Sequence, residues 1–443
     1  MYKKLIQFIE LIILKKENLN FLPSLLLRVN GISIGENKML LISFLALFAS
    51  IFFLQLGNSI LAPFDVLVGL DVGFSNFEIG LLGSSHFLGF LTGCWIVPFI
   101  MARVGHIRAF TIFAMLSILG SLLHPIFVDP YFWCFLRILS GLSIAGCFTI
   151  AEGWLNAKVT NQNRGKVFGG YRFVDNGGAA LGVVFISLLD VTNIINYNTI
   201  SLLLCLCILP LAFTTNIPPT VPKSPSLNLS KTFFLSPLSF ITVFVVGATN
   251  PAIRMLGPVF GQDSGFTQLQ IGIFLSLALI GGVVAQIPIG YLADRFDRRL
   301  VLIVLSFLSV ACSATLTITS GNNFYIFSIF VFLFSFCALP LFSVAAAHAN
   351  DFSEKDFFVD LAASLIFIYG VSAILCTVVV SGLFEIFGSS VLFIYIGMVH
   401  LVLCAFGVYR MTVRPTVDDK KPYLVLPRTS LVFLKMFKKN KGD

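Results

Sequence analysis

Asp71-Val72-Gly73-Phe74-Ser75-Asn76-Phe77-Glu78-Ile79-Gly80 returns later in the chain as Asp263-Ser264-Gly265-Phe266-Thr267-Gln268-Leu269-Gln270-Ile271-Gly272. The Asp, Gly, Phe, Ile and final Gly are identical, and Ser75 stands opposite Thr267. The same offset of 192 residues sets Arg103 on Arg295, Gly89 on Gly281 and Gly178 on Gly370. The chain is therefore a duplicated unit. In a membrane protein, a parallel duplication means two bundles facing each other across a central cavity.

Composition puts the repeat in a bilayer. The 443 residues are 57% hydrophobic and only 11% charged, against roughly 25% charged in soluble domains. Apolar stretches of about the 20 residues needed to cross a bilayer recur at 39–64, 77–101, 107–128, 131–153, 165–189, 195–215, 237–261, 268–292, 299–320, 323–347, 357–382 and 388–410. Each must be helical, because lipid offers no partner to an open backbone. The expected fold is an all-α membrane protein of twelve transmembrane helices in two pseudo-symmetric six-helix bundles, at 39–215 and 237–410. A linker rich in Pro and Ser joins them at 216–236, and a basic tail follows at 411–443. In the N-terminal segment, 1–38, the apolar run from Leu5 to Leu14 is flanked by lysines, broken by Glu10 and followed by no small-residue cleavage site. It reads as a helix lying in the membrane interface rather than a signal peptide.

With twelve spans, nearly all of the 29 Lys and Arg fall on one side, while Asp65, Asp71, Asp129, Asp190, Asp263 and Glu385 mark the other. The positive-inside rule then places both termini and the linker in the cytoplasm of a bacterial inner membrane. The net charge of +8 is a topology signal, not a nucleic-acid one. Lys435, Lys438, Lys439 and Lys441 near the end either rest on anionic headgroups or keep a tail solvated. All nine cysteines lie inside expected spans, odd in number and without metal-ligand spacing, which argues against a disulfide framework. No phosphate-cradling Gly-x-x-x-x-Gly-Lys loop and no Gly-x-Ser-x-Gly elbow occurs. The expectation is a non-enzymatic protein with no catalytic centre, cofactor or metal.

The strongest local signal is Gly290-Tyr291-Leu292-Ala293-Asp294-Arg295-Phe296-Asp297-Arg298-Arg299. It resembles the cytoplasmic loop motif of the major facilitator superfamily, Gly-x-x-x-Asp-Arg-x-Gly-Arg-Arg, with Asp297 in place of the second Gly. Pro98 to Arg108 is a worn copy that keeps Arg103 and Gly105 but holds Ala102 where the second copy has Asp294. Arg137-Ile138-Leu139-Ser140-Gly141 is similar to the family's Arg-x-x-x-Gly element. Glu152 with Asn163-Arg164-Gly165 beyond it, and Ala347-His348-Ala349-Asn350-Asp351, resemble the YcaD-like branch. The resemblance covers roughly 39–410 and implies a carrier working by alternating access. It also implies a gating motif of Asp294, Arg295, Arg298, Arg103 and Gly105. In that motif Asp294 latches to the positive N-terminus of span five, near Gly165, when the cytoplasmic side is closed. The loss of the acid at Ala102 makes such gating lopsided. Arg295, Arg298 and Arg299 serve equally as topology anchors.

Ionisable residues at membrane depth are costly and are candidates for function. Arg137, Arg172, Asp175 and Arg254 qualify by depth, while Glu152, His348 and Asp351 lie nearer the helix ends. Arg172 and Asp175, three apart, share a helix face and form either a structural pair or part of a relay. Glu152 is the leading proton carrier, with interfacial exposure as its plain alternative. The proton-coupling candidates are thus Glu152, Asp175, Arg172 and Arg137. The expected cavity set is Gln55, Asn58, Asn250, Arg254, Gln286 and His348, and His86 reads as a hydrogen-bonded packing residue. Arg254 would suit a small amphipathic or anionic substrate. The expected partners are a small-molecule substrate, a proton as coupling ion and the lipid bilayer, with no nucleic acid and a monomeric chain. An uncoupled uniporter and a non-transporting receptor on the same fold are the alternatives.

Overall fold

The structure is a computed structural model that describes residues 36–159, 164–213, 227–319, 323–354 and 357–413. The expected interfacial helix near the N-terminus, most of the linker and the basic tail lie outside the described residues.

The duplicated stretch folds the same way twice. Gly73 (φ +90°) and Gly265 (φ +75°) turn the chain in the left-handed region that favours glycine. Phe74 then donates its N–H to Gly69 O, and Phe266 to Gly261 O, each at 2.8 Å. Ser75 Oγ accepts from the N–H of Glu78 while the Glu78 carboxylate accepts from the Ser75 N–H at 2.8 Å. Thr267 and Gln270 repeat this reciprocal cap, also with a 2.8 Å return bond. Each cap stabilises its helix start by about 1 kcal/mol.

Among the described residues the chain is all-α. In order, the helices are α1 (Glu36–Asp71), α2 (Asn76–Val104), α3 (His106–Leu123), α4 (Pro130–Lys158), α5 (Arg164–Phe185), α6 (Asn196–Leu206) and α7 (Ile208–Ala212). A short α8 (Leu229–Leu235) precedes α9 (Pro237–Asp263), α10 (Gln268–Arg295), α11 (Arg298–Thr319), α12 (Phe324–Ala338), α13 (Leu341–Asp351), α14 (Phe358–Phe387) and α15 (Val391–Val413). A helix stands at each of the twelve expected spans. Ten segments, with α12 and α13 counted as one crossing, are long and apolar enough to traverse a bilayer. The two others have local reasons. Arg164, Lys166, Arg172 and Asp175 make α5 polar, and Asn196–Ala212 is a shorter apolar segment.

Helix α1 runs seven residues past its expected end at 64. Asp65, read as a loop marker of the extracytoplasmic side, is therefore inside a helix and 1% exposed. An apolar run, Val66-Leu67-Val68-Gly69-Leu70, continues the helix beyond Pro63.

Glycines set how closely the helices approach. A Cβ on Gly141 of α4 would fall 1.9 Å from His86 O, and one on Gly89 of α2 would fall 2.0 Å from Ile138 O. The register partner of Gly89, Gly281, holds α10 against α12 in the same way, with Phe332 O 2.5 Å from its would-be Cβ. Small residues thus do at two places what membranes demand where apolar area gives no drive to associate.

The first and second halves of the chain meet through α2 on α14 and α5 on α10. At the start of α2, the Phe77 N–H donates to Glu385 Oε1 (3.0 Å), and Ser84 Oγ donates to Ile374 O (2.8 Å). At the start of α10, Gln268 Nε2 donates to Ile186 O and Leu189 O (2.6 and 2.7 Å), and Ser276 Oγ to Ala180 O (2.8 Å). Gly80 and its register partner Gly272 sit in these seams against Ser381 and Val183. All these bonds lie toward the helix ends opposite the Asp294 motif, while Trp95 stacked on Phe367 carries the α2–α14 contact past mid-depth into the half nearer that motif.

Candidate functional site

Four groups of ionisable residues emerge from the packing. The first joins α4 and α5. Arg172 Nη1 pairs with Asp175 Oδ2 at 3.0 Å, one helical turn away, and its Nη2 reaches Glu152 Oε1 at 3.5 Å. Tyr171 Oη donates to the same Glu152 oxygen at 3.3 Å, and Gln55 Nε2 of α1 donates to Asp175 Oδ1 at 2.7 Å. Glu152 is fully buried, so interfacial exposure is not its environment, because α4 continues to Lys158 and carries it inward. Two buried carboxylates share one guanidinium, which keeps 27% of its side chain exposed.

Arg254 forms the second group, with Asn250 one turn before it on the same face of α9. It is exposed although it sits well inside its helix. Its guanidinium lies within electrostatic reach of Asp175 on α5, Arg137 on α4 and Tyr369 on α14, and it acts on His86 of α2. Arg254 of the second half is thus coupled electrostatically to charged residues of the first. Among the described residues no carboxylate pairs with it, and the Asn250 side-chain nitrogen is buried with no acceptor in reach. Tyr369 packs edge-on against Phe87 (6.1 Å) and Phe342 (5.9 Å). Gln286 accepts from Ser343 at 3.3 Å, Asn58 is buried, and His86 contacts Ser140 at 3.0 Å as a packing residue would.

The third group was not expected. Asp65 of α1 lies 3.4 Å from Arg137 Nη1 and 3.3 Å from His124 Nε2, and none of the three side chains is more than 1% exposed. His124 Nδ1 stands 2.6 Å from Gly120 O, so Nδ1 carries the hydrogen and Nε2 is turned to Asp65. The imidazole stacks on Tyr197 (4.7 Å) and touches Trp133. Arg137, expected among the proton-coupling residues, is here the counter-ion of Asp65. The available signal was chemical: an arginine in an apolar span needs a carboxylate, and Asp65 follows Asn58 by seven residues on the same helix face.

The fourth group is the repeated loop motif. Arg298, 2% exposed, binds Asp294 (3.0 Å), Asp351, Ala293 O (3.3 Å) and Ala347 O (3.0 Å), fastening α10, α11 and α13. Asp294 is 46% exposed, and its expected contact near Gly165 involves side chains outside the described residues. Arg295 lies over the Tyr291 ring at 4.3 Å. In the first copy Gly105 makes the turn at φ +83°, while Arg103 and Ala102 are exposed. In the second copy Asp297 replaces that glycine and accepts from the Arg299 N–H (3.0 Å) and guanidinium (2.7 Å). Burial raises the Asp297 carboxyl, but these Arg299 hydrogen bonds outweigh it and hold it below its usual range. His348, expected in the cavity, is buried at this end instead, beside Phe352, Arg299 and Arg410. The reason is rotational: its position on the short α13 turns it toward α9 and α15.

The Major Facilitator Superfamily pattern matches residues 47–282 and 235–441 of this chain. Over 330 residues it is 24% identical to the uncharacterized MFS-type transporter YcaD of Escherichia fergusonii, covering 73% of this chain and 84% of that protein. The YcaD protein of Escherichia coli strain K12 / DH10B gives 24% over 330 residues, 74% and 85%. Among solved structures, a mutant form of the nucleoside transporter NupG superposes with a TM-score of 0.71 at 12% identity, over 84% of this chain and 100% of that one. A D-xylose-proton symporter gives 0.65 at 12%, over 85% and 99%. At such identities these likenesses are of fold.

Proposed function

This chain belongs to the major facilitator superfamily and is a multi-pass membrane transporter rather than an enzyme, and from that premise we propose that it is a proton-coupled secondary carrier working by alternating access. The observation that carries the coupling is the sharing of Arg172 between Glu152 and Asp175. One guanidinium neutralises one carboxylate. The second buried negative charge is expensive in a low dielectric, and a proton is its smallest neutraliser. Arg172 then favours whichever acid is ionised, so proton loading changes which of α1, α4 and α5 it ties together. The symporter of similar fold, proton-coupled by its name, fits this reading.

Alternating access is supported by the asymmetry of the seams. The hydrogen bonds joining α2 to α14 and α5 to α10 lie toward one end. With the Asp294 motif on the cytoplasmic side, this is the conformation sealed from outside, in a bacterial inner membrane with both termini cytoplasmic. The two six-helix bundles, 39–215 and 237–410, rock about these seams. The test is a pH jump across proteoliposomes holding the purified carrier. Proton flux should fall in Glu152→Gln and in Asp175→Asn, and unchanged flux in both variants would overturn the coupling role.

A further inference from the structure

We propose that the solute carried is a small monoanion, held through its carboxylate by Arg254 with the amide of Asn250 beside it. The inference deepens the proton-coupled reading and rests on it for its pH dependence. The Arg254 guanidinium and the Asn250 amide nitrogen bring hydrogen-bond donors to one face of α9, and the described residues supply no paired carboxylate to Arg254 and no acceptor to the Asn250 nitrogen. A planar guanidinium matches a carboxylate with two parallel bonds, which a neutral amide or an amine cannot reproduce. The edge-on rings of Phe87, Phe342 and Tyr369 stand nearby, Tyr369 within electrostatic reach of Arg254, and suit the apolar body of such a solute.

Charge balance ties the anion to a proton. Glu152 faces Tyr171 and Arg172 from α5 and Cys94 from α2; Asp175 faces Gln55 from α1 and Arg254 from α9. Arg254 faces Arg137, Tyr369 and His86, and Arg137 is already balanced by Asp65. With Glu152 and Asp175 both ionised, Arg172 pairs with one and Arg254 offsets the other only at a distance, so an entering anion that takes up Arg254 leaves that carboxylate unbalanced. With one carboxylate protonated, the set carries a single positive charge and one anion neutralises it. Anion affinity therefore rises as pH falls, by up to about tenfold per unit where one proton is taken up.

The experiment is thermal stabilisation of the purified full chain by matched pairs, benzoate with benzamide and hexanoate with hexanamide, between pH 5.5 and 7.5. At least one carboxylate should stabilise more than its amide, and more at the lower pH. Arg254→Gln should abolish the difference, while Arg254→Lys keeps part of it. In Glu152→Gln, which mimics the protonated state, the carboxylate effect should persist at pH 7.5. If neither carboxylate exceeds its amide, or if the preference survives in Arg254→Gln, the anchor is overturned. A carboxylate preference that needs Arg254 but ignores pH leaves the anchor standing and sinks the proton coupling.

Discussion

Replacing Asp65 by Asn removes the partner of a guanidinium that has no route to water. Asp65 and Arg137 are each 1% exposed and 3.4 Å apart. At an effective dielectric near 20, that separation corresponds to an attraction of about 5 kcal/mol. Leaving Arg137 uncompensated should cost about 3–5 kcal/mol. Arg137→Met is expected to be milder, because Asp65 keeps His124, 3.3 Å away, beside it. The double variant Asp65→Asn with Arg137→Met leaves no unpaired charge and should recover most of the loss, since replacing a buried pair outright is often neutral. Reversible unfolding in mixed detergent micelles reads all four proteins. Trp133, with its ring 4.9 Å from that of His124, reports by fluorescence whether the packing around the pair is kept. Additive losses in the double variant, or equal losses in the two single ones, would refute the reasoning.

Two further outcomes concern packing and the loop motif. Gly141→Ala would place a Cβ 1.9 Å from His86 O and 2.8 Å from Phe90 N, forcing α2 and α4 apart. It should destabilise by at least about 1–3 kcal/mol, whereas Gly177→Ala, with nothing within 4 Å, should be neutral or slightly stabilising. Asp297 has a lowered folded-state pKa, so its stabilisation is present above the unfolded value near 3.9 and is lost as pH falls through the lower folded one. Asp297→Asn should cost less than about 1 kcal/mol at neutral pH, because the side chain is partly exposed and screened. It should also flatten acid unfolding in the same titration, and a full-sized acid transition in the variant would count against this role.

By itself the sequence determined the helical class, the positions of the spans, the duplication and the Arg172–Asp175 pair. These depend on hydrophobic runs, turn glycines and neighbours three residues apart, which are local properties of the chain. The repeat also marked Gly89 and Gly281, whose matching roles follow from the same steric need in each copy. Tertiary structure alone decided which charges meet across helices. Asp65 reaches residues 59 and 72 positions away, Glu152 joins Arg172 across the α4–α5 loop, and His348 turns from the expected cavity toward α9 and α15. Those outcomes depend on helix extent and on rotation about each helix axis. A shift of seven residues in the end of α1 changed Asp65 from a surface marker to a buried counter-ion. Hydropathy is nearly indifferent to rotation when most faces of a helix are apolar, so only packing could assign those partners.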